Sequence, residues 1–325
     1  MLNVVSSINN ARKEPEVLLE LKERIAPPNP VDVIVSKMRR PITTDDLDKD
    51  WKNLIFGKPK GGLKIIDKFT MNERLATKGK RGISFLEYLE NPQLTASQER
   101  FLQKQITQHP DRDDIYHYHI LYKYAHNSIA VFPPAQMSHI LIKHKIETVL
   151  DPTMGWGGRL LGSVASMAKG YIGIDSNQNL IEPYHHLKTF VERKNGFNTN
   201  IQLLFRDCLS IDYNTLDYDC VFTSPPYYNI ETYTDQPHTY KTKLEWNEKF
   251  YRPLVTMTYG GLKENGIYCL NINQEIYEFI KTIIGEATES ILLSKSSMRS
   301  NSYEEFIYIW KKPDWRDSIE VSICC

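Results

Sequence analysis

A short turn of polar and aromatic residues, Ser224-Pro225-Pro226-Tyr227, combines side chains and backbone groups that can take part in chemistry. The turn follows residues 218–222, an apolar run that predicts a buried strand. Two consecutive prolines stiffen the backbone and cannot continue a strand ladder, so the carbonyl groups of the turn lack local donors. Open α/β sheets place their ligand sites at the carboxyl ends of parallel strands, which is where this turn would lie.

These residue types suit methylation of an exocyclic amino group on a base that has left its stack. The lone pair of such a nitrogen is delocalised into the ring, and acceptors aimed at its two hydrogens would make that lone pair available. Ser224 Oγ and the Pro225 carbonyl are the candidate acceptors, held in place by the rigid turn. Tyr227 is a candidate stacking partner for the flipped base, with Tyr228 and Asn229 as contacts for its edge. The alternative is a proline-bounded turn whose Tyr227 belongs to the core.

A glycine-rich loop lies upstream, in the run Asp151-Pro152-Thr153-Met154-Gly155-Trp156-Gly157-Gly158-Arg159. It follows a predicted strand at residues 147–151 and precedes a predicted helix at 157–168, whose first N–H groups can bind a carboxylate. The glycines allow tight turns and the close approach of a ligand. The next predicted strand ends in Asp175, 24 residues after the first strand ends. An acid at that place can accept hydrogen bonds from both ribose hydroxyls, as in dinucleotide-binding folds.

Together, the glycine loop and the S-P-P-Y turn resemble the motifs of the S-adenosylmethionine-dependent DNA amino-methyltransferases, over about residues 130–312. This family carries a D-P-x-x-G-x-G type cofactor loop and a catalytic (D/N/S)-P-P-Y turn. The resemblance implies S-adenosylmethionine as the cofactor, and it assigns catalysis to Ser224, Pro225, Pro226 and Tyr227. The cofactor contacts that it implies are Phe132, Pro133, Asp151, Pro152, Gly155, Gly157, Asp175, Asp207 and Cys208.

Some of these implied contacts also have a structural interpretation. Phe132 and Pro133 open the stretch 132–141, which resembles the turn and helix that flank the methionine end of the cofactor in the family. Taken alone, this stretch is also an ordinary helix that starts at a proline. Asp207 follows a predicted third strand at 201–205, where an acid of the family holds the adenine amino group. Asp207 is equally well placed to cap a helix.

The order of the predicted elements indicates the fold that would position both motifs. Strands and helices alternate from residue 147 to residue 285, and predicted strands at 290–293 and 303–310 close the chain as an antiparallel hairpin. The pattern predicts an α/β, doubly wound, Rossmann-like class I methyltransferase sheet of seven strands, the last antiparallel, within residues 131–325. Residues 1–130 are predicted to form a mostly helical N-terminal region with a DNA-binding or recognition role. We see no room for a separate recognition domain after residue 260. We therefore expect the N-terminal region, the loop at 228–244 or a partner to recognise the DNA target sequence.

The bulk composition fits a globular, reduced protein. The chain has 325 residues, of which 41% are hydrophobic, and its formal net charge is zero, so the whole chain gives no basic signal for nucleic acid. We expect neither a membrane span nor a signal peptide. The five cysteines show no C-x-x-C spacing, which predicts a cytoplasmic protein without structural zinc. No metal is expected in catalysis, because the leaving group would be a neutral thioether.

Two N-terminal segments leave a functional and a structural interpretation open. Residues 52–81 hold nine basic and two acidic residues, interspersed with glycines that would keep parts of the stretch flexible. This segment predicts a phosphate-contacting arm or, equally, a solvated surface loop. Residues 115–125 are crowded with tyrosine and histidine, which suit stacking on bases or metal binding. Packing between a helix and the next domain is the favoured interpretation of that crowding.

The sequence therefore favours a site-specific methyltransferase that acts on an exocyclic amino group of a flipped DNA base. Cytosine N4 is favoured over adenine N6, because the serine version of the turn looks most like the N4-cytosine branch. A restriction-modification setting and a homodimer are further expectations. The alternatives are an RNA or protein-glutamine amino-methyltransferase, a non-catalytic nucleic-acid-binding protein that keeps the cofactor fold, and a nicotinamide oxidoreductase. The oxidoreductase is disfavoured because the loop has no G-x-G-x-x-G spacing.

Overall fold

A computed structural model describes residues 30–78, 82–126, 129–194, 196–228, 239–293 and 305–314. Its centre is one sheet, and the strands of that sheet are β1 Thr148–Asp151, β2 Gly170–Asp175, β3 Asn200–Phe205, β4 Cys220–Thr223, β5 Ile267–Ile272, β6 Glu289–Leu293 and β7 Glu305–Lys311. The seven strands follow the order β3-β2-β1-β4-β5-β7-β6. Neighbouring strands from β3 to β5 are parallel, whereas β7 runs antiparallel to both β5 and β6.

This strand order confirms the predicted fold, including the antiparallel last strand. The direction of winding reverses between β1 and β4, which pair in parallel with Val149 opposite Cys220 and Leu150 opposite Val221. Open α/β sheets bind their ligands at the carboxyl ends of the strands that flank such a reversal. The loops after β1 and after β4, which carry the two motifs, therefore lie side by side.

Alternate residues of the central strands face two separate apolar cores. Val149 and Phe222 belong to one core, and Leu150 and Val221 belong to the other. Successive side chains of a strand point to opposite faces, so both faces of β1 and β4 are buried, as expected for a parallel sheet covered by helices. All four residues of β4 are buried, which holds the start of the S-P-P-Y turn firmly in the core.

Helices cover both faces of the sheet and form the N-terminal region. They are α1 Pro30–Met38, α2 Thr44–Ile55, α3 Leu63–Ala76, α4 Phe85–Glu90, α5 Ala96–Gln108, α6 Asp114–His126, α7 Pro134–His144, α8 Gly158–Ala165, α9 Ile181–Glu192, α10 Lys243–Trp246, α11 Arg252–Gly261 and α12 Gln274–Ile284. Short 3₁₀ turns lie at Gln178–Leu180, Cys208–Ser210 and Tyr213–Thr215, and a π-helical turn at Asn247–Tyr251 separates α10 from α11.

Capping residues explain where several N-terminal helices begin. Thr43, Ser84 and Thr95 cap α2, α4 and α5, and each forms a reciprocal capping box with the residue three positions later. Such a box satisfies two of the N–H groups that a helix start leaves without a partner.

The basic segment is anchored in the structure and is not a flexible arm over residues 52–78. Ile65 and Ile66 of α3 are completely buried and belong to the same core as Val149. Gly61 packs so closely on α2 that a Cβ atom at this position would lie 2.4 Å from Leu54 N. Residues 79–81 lie outside the described residues. The boundary at residue 130 and the recognition role of residues 1–130 stay predictions.

The aromatic segment at 115–125 forms most of α6 and serves packing. His117 and His119 are buried, and the His119 ring packs edge-on against Phe85 of α4, with ring centroids 5.0 Å apart. Burial lowers the pKa of His119 to about 3, so its ring is neutral. The aromatic side chains of α6 therefore serve packing, as the favoured interpretation predicts. His119 packs on a neighbouring N-terminal helix and not on the next domain. Within the described ranges, no group of His, Cys, Asp and Glu side chains is arranged to hold a metal ion.

None of the helices in the described part of the chain has the length and apolar character that crossing a bilayer requires. The cysteines of that part, Cys208, Cys220 and Cys269, are buried free thiols.

Candidate active site

The glycine loop and the S-P-P-Y turn meet at the carboxyl edge of the sheet. Thr153 of the loop and Thr223 at the end of β4 share a hydrogen bond, with their Oγ1 atoms 2.6 Å apart. Thr223 is completely buried, so the hydrogen bond that joins the two loops lies in the protein interior. The structure thus brings together the two motifs that lie about 70 residues apart in the chain.

Ser224 is held by Asn271, a buried residue of β5. Ser224 Oγ donates to Asn271 Oδ1 at 3.2 Å, and Asn271 Nδ2 donates to the Phe306 carbonyl at 3.2 Å. The second bond assigns the orientation of the amide, so that its oxygen faces Ser224. A hydroxyl has a single hydrogen, so Ser224 Oγ keeps lone pairs that can accept hydrogen bonds. Among the described residues, no group donates to Ser224 Oγ or to the Pro225 carbonyl.

Tyr227 is anchored through its hydroxyl group. Tyr227 OH lies 2.8 Å from the Asn271 carbonyl oxygen and 2.8 Å from Glu305 Oε1, so either oxygen can accept its single hydrogen. The side chain is half-buried, and these bonds hold its ring in one orientation beside Ser224. Asn271 therefore fixes two residues of the turn, Ser224 through its side chain and Tyr227 through its backbone.

The rest of the turn is held by Tyr251, which lies in the π-helical turn. Tyr251 OH donates to the Pro226 carbonyl and accepts from Tyr228 N, the latter at 3.2 Å. Tyr228 has a φ of 54°, a left-handed conformation that costs a non-glycine residue roughly 1–2 kcal/mol. Its ring is buried, with Lys243 Nζ 5.3 Å from the ring centroid. Tyr228 thus packs behind the turn, and its role as a base-edge contact stays a prediction. Asn229 lies outside the described residues.

Asp175 ends β2 and organises the glycine loop. Its Oδ2 accepts from Gly155 N at 2.9 Å, and its Oδ1 accepts from Asn177 N at 3.0 Å. Burial raises the pKa of this carboxyl to about 6, against the lowering effect of the two backbone hydrogen bonds. Each oxygen can accept further bonds, so the pair fits a ligand with two adjacent hydroxyls. Gly155 has a φ of 56°, and a Cβ there would meet only Thr153 O and Arg159 Nη2, both at ordinary contact distance, so the loop is open to a ligand.

Asp151 is completely buried and forms an ion pair with Arg159 of α8. Arg159 Nε donates to Asp151 Oδ2 at 2.7 Å, and Tyr171 OH donates to the same oxygen at 2.9 Å. Burial opposes the charge of Arg159, but the Asp151 carboxylate raises its pKa overall. Arg159 also donates to the Thr153 carbonyl, so the pair stiffens the glycine loop. The other oxygen, Asp151 Oδ1, is buried and has no hydrogen-bond partner among the described residues.

Phe132 and Pro133 bring the start of α7 to both motifs. The Phe132 ring packs edge-on against Phe222 of β4, with centroids 5.3 Å apart, and the Arg159 guanidinium lies 5.9 Å from the Phe132 centroid. A Cβ on Gly158 would lie 2.1 Å from the Phe132 carbonyl oxygen, so only glycine permits this approach. Phe132 therefore lies between the glycine loop and the strand that carries the S-P-P-Y turn. Its contact with a cofactor stays a prediction.

Asp207 and Cys208 lie after β3, one strand further along the same edge. Asp207 Oδ1 accepts from Leu209 N at 2.9 Å and caps the 3₁₀ turn at Cys208–Ser210, so the structural interpretation of Asp207 is realised. A carboxylate has a second oxygen, and capping leaves room for a ligand contact as well. Cys208 is buried, and burial raises the pKa of its thiol, which therefore stays neutral. The cofactor contacts of both residues, and those of Pro152 and Gly157, stay predictions.

Sequence reasoning missed the roles of Asn271, Tyr251 and Arg159. Asn271 gives a faint signal, because it is a polar residue inside the otherwise apolar strand 267–272. Arg159 closes the glycine motif, but nothing in the sequence shows that it reaches back to Asp151. Tyr251 gives no signal, because its direction depends on the extra residue of a π-helical turn.

The strand order, with the glycine loop after β1 and the polar turn after β4, decides the architecture. The chain has a methyltransferase fold. No protein-family model matches the chain, and no curated protein matches it. Among solved structures, it is similar to an rRNA methylase from Streptococcus thermophilus, at 13% identity and a TM-score of 0.37, over 57% of this chain and 99% of that one. It is also similar to the N-methyltransferase NodS from Bradyrhizobium japonicum, at 11% identity and a TM-score of 0.39, over 56% and 94% of the two chains. A third similar structure is the S-adenosylmethionine-dependent O-methyltransferase from Thermotoga maritima, at 12% identity and a TM-score of 0.38, over 60% and 71%.

Proposed function

We propose that this chain is an S-adenosylmethionine-dependent methyltransferase that acts on an exocyclic amino group of DNA, with cytosine N4 favoured over adenine N6. The observation that carries this proposal is the hydrogen bond from Ser224 Oγ to Asn271 Oδ1. This bond commits the hydroxyl hydrogen to the protein and leaves the oxygen as an acceptor at the end of β4. An acceptor at that place suits a substrate that presents N–H donors.

Ser224 and Pro225 supply the acceptors for the two hydrogens of the amino group. Accepting these hydrogens favours the tetrahedral form of the nitrogen, in which its lone pair is localised. The nitrogen gains positive charge as the new bond forms, so its N–H groups become stronger donors and the contacts strengthen in the transition state. After the thioether leaves, the methylated nitrogen releases one proton to water and becomes neutral. The prolines and the Tyr251 bond to the Pro226 carbonyl hold the acceptors in place, so little reorganisation is needed during the reaction.

The residues at the carboxyl edge of β1 and β2 fit the cofactor. When bound, S-adenosylmethionine supplies an electrophilic methyl group whose leaving group is a neutral thioether. Asp175 would accept from the ribose hydroxyls with the two oxygens that already orient the loop. Gly155 and Gly157 would allow close approach of the backbone, and Asp207 would meet the adenine amino group. Asp151, buried against Arg159, would position the loop.

The preference for cytosine follows from the neutral serine. The aspartate typical of the adenine branch is a charged and stronger acceptor than the hydroxyl of Ser224. Tyr227 is the candidate stacking residue for either base, and its two hydroxyl contacts give it the fixed ring that stacking requires. DNA as the acceptor, ahead of RNA or a protein amide, rests on the resemblance of both motifs to the DNA amino-methyltransferases.

Replacement of Ser224 by alanine tests the acceptor assignment. We expect Ser224→Ala to lower kcat by about 10²–10³, the effect of removing one preorganised hydrogen-bonding group from a transition state. Cofactor affinity, measured by calorimetry with S-adenosylmethionine, should be unchanged, because the hydroxyl faces the amino group. A Ser224→Ala variant with nearly full activity would contradict the assignment.

A further inference from the structure

The end of α2 exposes an aromatic residue in an unusual way. Phe56 is 76% exposed, and its neighbour Ile55 is 39% exposed. Phe56 is the most exposed large apolar side chain among the described residues, and together with Ile55 it forms a small apolar patch at the end of the helix. We call residues 55–60 the exposed turn.

The exposed turn is rigid, so the exposure of Phe56 is a property of the fold. Phe56 N donates to the Lys52 carbonyl at 3.0 Å, and Lys58 N donates to the Asn53 carbonyl at 2.9 Å. Gly61 N donates back to the Lys58 carbonyl at 2.8 Å, which closes the turn. A rigid turn presents its side chains at little entropic cost on binding.

Exposed lysines without an ion pair flank Phe56 along the chain. Lys52, Lys58 and Lys60 are exposed, and none of them forms an ion pair with another described residue. Lys52 lies four residues before Phe56 and therefore on the same face of α2. Other cations of the basic segment are already paired with acids, and these are Lys64 with Asp46, Arg74 with Asp67 and Lys78 with Glu87. Lys68 of α3 is also exposed and forms no ion pair with a described residue, so three of the four unpaired cations of residues 52–78 lie in or next to the exposed turn.

The exposed turn leads into the segment that packs beside the candidate active site. Gly62, two residues after it, packs so that a Cβ there would lie 3.0 Å from Pro134 Cγ. Pro134 starts α7 directly after Phe132 and Pro133, and Phe132 packs on Phe222 of β4. The segment that directly follows the exposed turn therefore packs on the start of α7, and the residues just before α7 pack on the strand that carries the S-P-P-Y turn.

We propose that the exposed turn and Lys52 form a docking surface for duplex DNA beside the target base. Lys52, Lys58 and Lys60 contact backbone phosphates, and the Phe56 ring packs against the base stack that flipping disturbs. Charge complementarity to a polyanion and the apolar ring between the lysines together fit nucleic acid. The choice of DNA rests on the function proposed above.

Salt dependence of DNA binding tests the lysines. Affinity for a fluorescein-labelled duplex of mixed sequence is measured by anisotropy between about 50 and 200 mM salt, with S-adenosylhomocysteine present. The Lys58→Ala/Lys60→Ala variant should lower the log–log salt slope by about 1.8, the value for two lost phosphate contacts. The matched control is Lys145→Ala/Lys311→Ala, which removes the same charge from exposed lysines that form no ion pair with a described residue. They lie near the amino ends of β1 and β5, at the opposite edge of the sheet. An equal loss of slope in both variants would overturn the proposal, because it would show a non-local effect of net charge.

Substitution of the ring tests the apolar contact. Phe56→Ala should weaken duplex binding by about fivefold or more with an unchanged salt slope, as expected for a lost aromatic contact with bases. Phe56→Trp should restore binding. The melting temperature should not change, because the ring is exposed. Unchanged affinity in Phe56→Ala would overturn the role of the ring.

Four further outcomes separate this proposal from the function that it rests on. Stronger loss of binding to RNA than to duplex DNA, or a change from dimer to monomer in sedimentation of Phe56→Ala, would assign the surface to another occupant and overturn it. If wild-type protein methylates DNA while all surface variants bind DNA normally, the docking surface fails and the proposed function stands. If wild-type protein methylates only RNA or protein, the proposed function fails.

Discussion

Replacing Asn271 with alanine removes a side chain that acts on the substrate only through Ser224. The Asn271 amide accepts from Ser224 Oγ at 3.2 Å and is itself oriented by the Phe306 carbonyl at 3.2 Å. Without this amide, the Ser224 hydroxyl is free to rotate and to point its hydrogen at the incoming amino group. The Ser224 O–H group would then face the two N–H groups of the substrate, and donors do not bind donors. A smaller fraction of the enzyme–substrate complexes would therefore be productive. The backbone carbonyl that anchors Tyr227 remains in the variant.

The size of the effect follows from the bond that is lost. A hydrogen bond between neutral groups contributes about 1 kcal/mol net, so Asn271→Ala should lower kcat by about fivefold, well short of the loss in Ser224→Ala. KM for S-adenosylmethionine should not change. The free energy of unfolding should fall by about 2 kcal/mol, because the hydrogen bonds of the Asn271 amide to Ser224 and to the Phe306 carbonyl are both lost.

A matched control and a double-mutant cycle separate positioning from general destabilisation. Asn273 lies two residues later and caps α12, with its Oδ1 accepting from Ile276 N at 2.9 Å. Asn273→Ala should cost about 1 kcal/mol of stability without lowering kcat. In single-turnover assays, Asn271→Ala should have no further effect in a Ser224→Ala background. Fully additive effects of the two substitutions on kcat would refute the reasoning.

The remaining predictions concern Asp175 and Gly158, which shape the cofactor loop. Asp175→Ala should weaken S-adenosylmethionine binding by roughly 10- to 150-fold in calorimetry, the value of charge-assisted hydrogen bonds, and equal affinities would remove Asp175 from the site. Since burial raises the Asp175 pKa to about 6, the affinity of the wild type for S-adenosylmethionine should fall as pH drops through 6. The unfolding free energy of the ligand-free protein should change in the opposite direction and fall as pH rises from 4 to 6. Over that range the folded state holds a proton on Asp175 that the unfolded state has already lost, so a rise in pH favours unfolding. Gly158→Ala should lower the unfolding free energy by about 3 kcal/mol in denaturant melts, because the new Cβ would meet the Phe132 carbonyl. Gly260→Ala is the control and should be close to wild type, because open space surrounds its Cβ position.

The fold could be predicted because its central strands carry strong local signals. Residues 218–222 are a short, mostly apolar run, and two prolines follow at positions 225 and 226. The second strand ends in an acid after a run of buried residues. Strand boundaries shifted by only a residue or two, as for the predicted 147–151 and the observed Thr148–Asp151. The alternation of strands and helices does not indicate the π-helical turn at Asn247–Tyr251, which interrupts the helical segment between β4 and β5. Such a turn has no periodicity that the sequence displays.

The site could be predicted only in its outline. Ser224 and Asp175 stand at the ends of recognisable strands, so their location follows from the alternation of strands and helices. The groups that orient them come from distant parts of the chain, as Asn271 does for Ser224. The expectation of flexible glycines also failed at Gly61, which is fixed by close packing on Leu54. Contacts of this kind depend on how helices and strands pack, and a single sequence does not display that.

The central claim is that an amino group of DNA accepts the methyl group. The most direct test is to incubate the protein with S-adenosylmethionine labelled in its methyl group and with DNA of mixed sequence. The DNA is then digested to nucleosides, which are separated by chromatography, with Ser224→Ala as the control. The account predicts label in N4-methyldeoxycytidine for the wild type and nearly none for the control. Label in N6-methyldeoxyadenosine would reverse the choice of base, and label found only in RNA or in protein would contradict the account.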